Sequence, residues 1–112
     1  MNNTLNLIGR VVKDIELKET KNGSKFANVT IAIPRNFKNA EGIYETDFID
    51  CRIYNNIAEN VNEYVRKGDL IGIRGRLQTE YYKKENGNNE KKLVVIAERV
   101  SYLATKKNSE EE

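Results

Sequence analysis

Aromatic and basic side chains occur together on the polar faces of two predicted strands and in one predicted loop, and this combination is the feature of the sequence best suited to binding chemistry. The set forms three local groups: Phe48, Arg52 and Tyr54; Arg74, Arg76 and Tyr82; and Arg35, Phe37 and Lys38. Aromatic rings stack on unpaired bases and cations neutralise phosphates, which is how proteins hold single-stranded nucleic acid. The pattern therefore predicts a nucleic-acid-binding surface built from these residues. We expect Phe48 to contribute most, because its ring shares a strand face with a cation.

The residue types argue against catalysis and against a bound metal or cofactor. The chain has no histidine and one cysteine, which excludes a His/Cys zinc site, a Ser-His-Asp triad and a Cys-His pair. No glycine is followed by the Lys-Ser/Thr pair of a phosphate-binding loop. Asp47 and Asp50 fall on opposite faces of one predicted strand, and we expect Asp50 to pair with Arg52. The sequence thus predicts a binding protein rather than an enzyme.

Charge and hydropathy favour a cytoplasmic protein with a polyanionic partner. Lys and Arg number 19 against 17 Asp and Glu, and three of the acids are the last three residues, so the rest of the chain is basic. The longest apolar run, Leu93 to Ala97, is too short to cross a bilayer, and the N-terminus does not resemble a secretory signal. A lone cysteine fits a reducing compartment. We expect no membrane association.

Hydrophobic alternation predicts five strands, and one segment has helical spacing instead. The predicted strands are Thr4 to Val12, Phe26 to Ile33, Asp47 to Tyr54, Leu70 to Tyr82 and Leu93 to Leu103. The helical segment begins near Ile57 and covers about ten residues. Turn signals stand at Asn22-Gly23, Glu41-Gly42 and Asn86-Gly87.

Local signals set the expected ends of these elements. Pro34 is expected to end the second strand, which leaves residues 35–46 as a long, mobile hairpin loop. Asn55 or Asn56 is the expected N-cap of the helix, and Gly68 is the expected residue just beyond its end.

The order of these elements predicts an all-β fold. It matches a five-stranded OB-fold barrel with one short helix between strands 3 and 4. We assign residues 1–105 to this single domain and residues 106–112 to a short acidic stub.

Several segments, in order and spacing, resemble bacterial and phage single-stranded DNA-binding proteins of the homotetrameric OB-fold type. The matching segments are Asn3, Leu5 to Arg10, Asn22-Gly23, Phe26 to Ala32, Asn36-Phe37, Thr46 to Phe48, Ile57 to Val61, Tyr64 to Gly68 and Gly75 to Thr79. The resemblance covers about residues 1 to 105. It implies a homotetramer, located in the cytoplasm with the nucleoid, that protects single-stranded DNA during replication, recombination and repair.

The resemblance also implies which residues stack on bases. The family's stacking positions, mainly tryptophans and a phenylalanine, fall on Phe37, Phe48, Tyr54 and Tyr82. This chain has no tryptophan, so we expect weaker binding per nucleotide than in a tryptophan-bearing relative. Thr4 stands where relatives often carry Arg or Lys, which puts a phosphate contact there in doubt.

The C-terminus departs from the family pattern. It ends Ser-Glu-Glu-Glu, without the long linker and the apolar tip by which relatives recruit replication and repair proteins. The tail is therefore either truncated or naturally short, and we expect such recruitment only if a tail is supplied. Two alternatives to DNA binding stay open: an RNA-binding OB-fold domain and a protein-interaction OB-fold module.

Overall fold

A computed structural model describes residues 1–105. Within these residues, six strands form one closed sheet, and a single helix packs against it. The elements are β1 (Leu5–Val11), β2 (Lys18–Glu19), β3 (Lys25–Lys38), β4 (Tyr44–Tyr54), α1 (Asn55–Tyr64), β5 (Leu70–Lys83) and β6 (Asn89–Ala104). The strand order is β1-β5-β6-β4-β3-β2, and β1 also pairs with β3. This extra pairing closes β1, β3, β4, β5 and β6 into a five-stranded barrel. With the short helix between β4 and β5, the fold is the predicted OB-fold barrel.

The first strand closes the barrel because it pairs with β5 along most of its length and with β3 at its C-terminal end. Its pairing with β5 begins at Leu5, which lies opposite Gly75, and continues to Arg10. Only Arg10 and Val11 pair with β3. On the opposite side of the barrel, β4 and β6 are parallel and are joined at just two positions, Cys51 with Val95 and Arg52 with Ile96.

The core follows the alternation read from the sequence. On β4, the side chains of Cys51 and Ile53 are fully buried and Ile49 packs against them, while the residues between them face outward. The helix adds its own buried face, Ala58 and Val61, at one end of the barrel. Burying an aliphatic side chain of this size stabilises a fold by about 1.5–3 kcal/mol, so this inner face decides which side of each strand remains available for binding.

A single glycine lets β5 bend against β6. The register of the two strands shifts between Arg74 and Gly75, as at a β-bulge. A Cβ at Gly75 would lie 2.0 Å from the Ile96 carbonyl oxygen. Any larger residue would therefore force the two backbones apart.

The three predicted hairpin turns form with one shared geometry. In each, a glycine with φ between 80° and 85° donates its N–H to the carbonyl three residues earlier. These glycines are Gly23, Gly42 and Gly87. This is the three-residue hairpin in which glycine occupies the left-handed position.

Two hairpins extend well beyond the barrel, and one of them overturns a prediction. β3 does not end at Pro34: it continues to Lys38 and pairs with β4 as far as Tyr44. Residues 35–46 therefore form a β-hairpin rather than a long mobile loop. Proline is tolerated because β1 pairs with β3 only as far as Ala32, which leaves Pro34 with a single neighbouring strand.

We name the two extensions the β3–β4 arm (residues 34–47) and the β5–β6 arm (residues 79–93). Because they project, the radius of gyration is 16.0 Å, compared with about 13 Å for a compact chain of this length.

Both predicted helix caps are wrong. The residue before the helix is Tyr54, which makes no side-chain capping bond. Asn55 has a left-handed φ of 49°, and its side-chain oxygen accepts a hydrogen bond from the Lys25 N–H at 3.3 Å. At the other end the chain turns extended at Val65, so Gly68 lies in the following turn rather than beside the helix. Within residues 1–105, no helix combines the length and apolar character needed to cross a bilayer.

Candidate nucleic-acid interface

The outward-facing side chains of β3, β4, β6 and β5 form one continuous surface, which we call the outer face. Residues paired across neighbouring strands project to the same side of a sheet, so the register defines its membership. The face includes Phe48, Asp50, Arg52 and Tyr54 of β4, Val94 and Ile96 of β6, and Arg76, Gln78, Glu80 and Tyr82 of β5. Apart from Arg74, the predicted aromatic and basic residues of β4 and β5 therefore meet on one surface.

The predicted stacking rings are accessible. Phe48 is 66% exposed and lies opposite Ala32 of β3, which is too small to cover it. Phe37 is 60% exposed on the β3–β4 arm, and Tyr82 and Tyr54 are partly exposed. Tyr54 lies six positions along β4 from Phe48, about 20 Å away, so the two rings are far enough apart to hold different bases.

Arg52 is held by neighbours on the outer face. Its Nη1 donates to the Glu80 carboxylate at 2.6 Å and to the Tyr54 hydroxyl at 3.3 Å. Gln78 also donates to Glu80, at 3.2 Å, and receives a bond of 2.7 Å from Arg76. The hydrogen bond from Arg52 lowers the pKa of the Glu80 carboxyl, and the same bond raises the pKa of Arg52.

The predicted ion pair between Asp50 and Arg52 is wrong. Asp50 instead accepts a 2.5 Å hydrogen bond from the Thr30 hydroxyl. The reason is register: Thr30 lies directly opposite Asp50 on β3, whereas Arg52 is two positions along the same strand, about 7 Å away. The cross-strand neighbour is closer than the one along the chain.

An apolar floor lies beneath the polar side chains of the outer face. Val94 and Ile96 are 6% exposed, yet they do not belong to the barrel core, which their neighbour Ala97 joins. In register, Ile96 lies between Arg76 and Arg52, and Val94 lies beside Gln78. The long side chains of the neighbouring polar residues thus cover Val94 and Ile96. Because the Arg52–Glu80 contact lies against this apolar surface, it is partly sheltered from water.

The β3–β4 arm carries a second cationic group. Arg35 donates to Asp47 through Nε and Nη2, at 3.1 and 2.9 Å, and to Glu45 through Nη1 at 2.7 Å. The bonds from Arg35 lower the pKa of the Asp47 carboxyl. The Arg35 guanidinium carbon is also 6.0 Å from the centroid of the Phe37 ring, so both predicted residues are in contact.

Lys38 and Tyr44 form a further cation and ring pair on the same arm. The Lys38 ammonium is 5.7 Å from the Tyr44 ring centroid. Tyr44 is 57% exposed, and it was missed because residues 35–46 were predicted to be a loop. Applying the strand alternation from Phe48 back to position 44 would have found it.

Tyr82 and Arg74 lie away from the hydrogen-bonded group around Arg52, towards opposite ends of β5. Tyr82 donates its hydroxyl to Glu90 at 2.6 Å, and this bond raises its pKa. Arg74 lies opposite Asn6 of β1 and Arg99 of β6, outside the hydrogen-bonded chain that links Arg76 to Arg52. Its role stays a prediction.

Comparisons with known proteins match most of the chain to one family. The model of the single-strand binding protein family matches residues 2–103, a range that holds every candidate residue. Single-stranded DNA-binding protein B of Bacillus subtilis (strain 168) is 41% identical over 106 residues, which are 95% of this chain and 94% of that protein. Single-stranded DNA-binding protein 1 of Streptococcus pyogenes serotype M18 (strain MGAS8232) is 41% identical over 109 residues, covering 97% and 84%.

A third relative extends the match almost to the end of the chain. Single-stranded DNA-binding protein 1 of Staphylococcus aureus (strain Mu50 / ATCC 700699) is 40% identical over 110 residues, which are 98% of this chain and 70% of that protein.

Proposed function

This chain belongs to the single-strand binding protein family, and on that premise we propose that it binds single-stranded DNA without sequence specificity. Bases stack on the rings of the outer face and the β3–β4 arm, and the neighbouring cations contact phosphates. The proposed stacking residues are Phe37, Phe48, Tyr54 and Tyr82, and the proposed phosphate contacts are Arg35, Lys38, Arg52, Arg74 and Arg76. We assign no catalytic step, cofactor or metal.

The observation that carries this proposal is the exposure of Phe48 on the same strand face as Arg52. A phenylalanine that is 66% exposed in the middle of a strand contributes little to the barrel core. On the outer face, however, it offers a flat apolar surface four positions along β4 from a guanidinium group. Single-stranded DNA needs rings for its bases and cations for its phosphates along one surface.

The polar contacts of the outer face favour binding without sequence preference. Arg52, Gln78 and Glu80 are hydrogen-bonded to one another. To read a base edge they would have to break these bonds, whereas every base has a face that can stack. Stacking therefore supplies affinity that depends little on sequence.

The direct test compares single and double strands. Fluorescence polarisation with labelled oligo(dT), and with a duplex of the same length, should show much tighter binding to the single strand, because bases in a duplex cannot reach the rings. Equal affinity for both would overturn the proposal. Oligo(U) bound more tightly than oligo(dT) would favour the RNA-binding alternative, and no binding to any strand would favour a protein-interaction module.

We also propose that the protein assembles as a homotetramer. Residues Leu5 to Gly9 pair with β5 on one edge only among the described residues, and an open strand edge favours pairing with another chain. Beside this edge, the apolar side chains of Ile8 and Leu103 are 60% and 48% exposed, which provides apolar area for a contact between subunits.

Sedimentation at micromolar concentration tests this assembly. We expect a mass near four times 12.9 kDa. A monomer would contradict the tetramer while leaving DNA binding intact.

In the cell we propose a role on the single strands exposed during replication, recombination and repair, in the cytoplasm with the nucleoid. Recruitment of other proteins is assigned only to a supplied C-terminal tail, and the acidic stub predicted at residues 106–112 lies outside the described residues.

A further inference from the structure

Three arginines proposed to contact phosphates already have carboxylate partners. Arg35 pairs with Glu45 and Asp47, Arg76 has Glu98 at 3.7 Å, and Arg52 has Glu80 at 2.6 Å. The binding surface of the free protein is therefore much closer to electrically neutral than its arginines suggest.

The Arg52–Glu80 pair is the most sheltered of these. The side chains of Arg52 and Glu80 are 23% and 35% exposed, against 38% to 58% for the residues of the other three contacts. Water and salt screen sheltered charges less than exposed ones. Glu80 is thus the acid that most weakens the attraction between Arg52 and an approaching phosphate.

We propose that Glu80 is an internal competitor of the DNA phosphate for Arg52, an inference that rests on the proposed function. Glu80 occupies Arg52 Nη1 in the free protein, so a phosphate must displace the carboxylate or bind beside it. Either route lowers affinity, and it also removes most of the contribution of Arg52 to the salt dependence of binding. Glu80 therefore limits how tightly the outer face holds a single strand.

The structure offers the displaced carboxylate another cation. Lys92 lies directly opposite Glu80 in the register of β5 and β6, and its charge also lowers the pKa of the Glu80 carboxyl. When a phosphate takes Arg52, Glu80 can turn to Lys92 without being left unpaired. The displacement of Glu80 from Arg52 therefore leaves the carboxylate with a cation partner.

The test is Glu80→Gln, which removes the charge and keeps the shape and a hydrogen-bond acceptor for Arg52. For oligo(dT) at low salt we expect affinity to rise by about fivefold, the effect of one charge at about 4 Å in water. The slope of log affinity against log salt should steepen by up to about 0.7, the value for one additional phosphate neutralised on a single strand.

Glu63→Gln is the matched control, since Glu63 is exposed on α1, away from the outer face. It makes the same change in net charge and should alter neither affinity nor slope. If Glu63→Gln raises affinity as much as Glu80→Gln, the effect comes from net charge and the proposal is wrong. Thermal melts confirm that each variant is folded, and Glu80→Ser provides a second way to remove the charge.

Arg52→Ala decides whether Glu80 acts through Arg52. In the Arg52→Ala background, Glu80→Gln should give less than half of its gain in the logarithm of affinity. An undiminished gain would overturn the competitor role. A loss of affinity in Glu80→Gln alone would also overturn it, because it would mean that Glu80 positions Arg52 for DNA. If the unaltered protein fails to bind oligo(dT), the proposed function itself fails, which is a distinguishable result.

Discussion

Removing the Phe48 ring should weaken DNA binding while leaving the fold intact. The side chain is 66% exposed, which for a ring of about 200 Å² leaves roughly 130 Å² in water. A stacked base covers one side of the ring, about 65 Å², and at about 25 cal/mol per Å² this amounts to roughly 1.6 kcal/mol. Phe48→Ala should therefore weaken oligo(dT) binding by about 15-fold. This value lies within the range of about 1–3 kcal/mol that is typical of one stacked base.

Fluorescence polarisation at fixed salt gives the affinity, and urea unfolding gives the stability. Because so much of the ring is already exposed, we expect the unfolding free energy to change by less than about 0.5 kcal/mol. Tyr64→Ala is the matched control: Tyr64 is 62% exposed but lies on α1, outside the outer face. If Phe48→Ala is folded and binds within twofold of the unaltered protein, the ring is not a stacking platform and the proposed path of the strand is wrong.

Three further predictions address phosphate contact, the barrel and pH. Lys38→Ala should flatten the slope of log affinity against log salt by about 0.7, while Lys21→Ala, in the β2–β3 turn, should not; identical slopes in salt titrations would exclude a phosphate contact at Lys38. Gly75→Ala should cost more than about 2 kcal/mol in urea unfolding, since its methyl group would lie 2.0 Å from a carbonyl oxygen; a cost under about 1 kcal/mol would contradict the close approach. Arg35 holds the pKa of the Asp47 carboxyl in the folded protein below its value in the unfolded chain. The contact therefore stabilises the fold fully when the pH is above the unfolded pKa, and this stabilisation is lost as the pH falls through the folded pKa. Melting temperatures of Asp47→Asn and the unaltered protein should therefore differ at pH 7 and converge below about pH 4; a constant difference would mean that the pair does not titrate this way.

Local patterns were sufficient to predict the barrel. The glycine turns and the strand alternation are short-range signals, and each formed as expected. The exposed position of Phe48 followed from the inward positions of Ile49 and Cys51, one and three residues further along β4, because side chains alternate along a strand. The resemblance to a known family pointed to the same aromatic residues, so the strand pattern and the resemblance select the same proposed stacking residues.

Contacts between strands could not be predicted in the same way. Asp50 bonds to Thr30 and Arg52 bonds to Glu80, and both choices depend on which residues the register places side by side. The sequence shows which charges are neighbours along the chain, but not which lie across the sheet. The prediction that Pro34 ends a strand failed for a related reason. A proline interrupts a strand that has neighbours on both edges, but Pro34 has a neighbouring strand on one edge only.

The pairing of Leu5 with Gly75 affects how the protein is made. β1 is synthesised before the other described strands, yet its main partner, β5, follows about seventy residues later. The β3–β4 hairpin pairs within one short stretch of chain and can form as soon as it emerges, whereas β1 has no partner for most of its length until β5 is complete. Closing so long a loop slows folding. During that interval the unpaired backbone edges of β1 are open to pairing with other nascent chains, so early misassembly should begin at this strand.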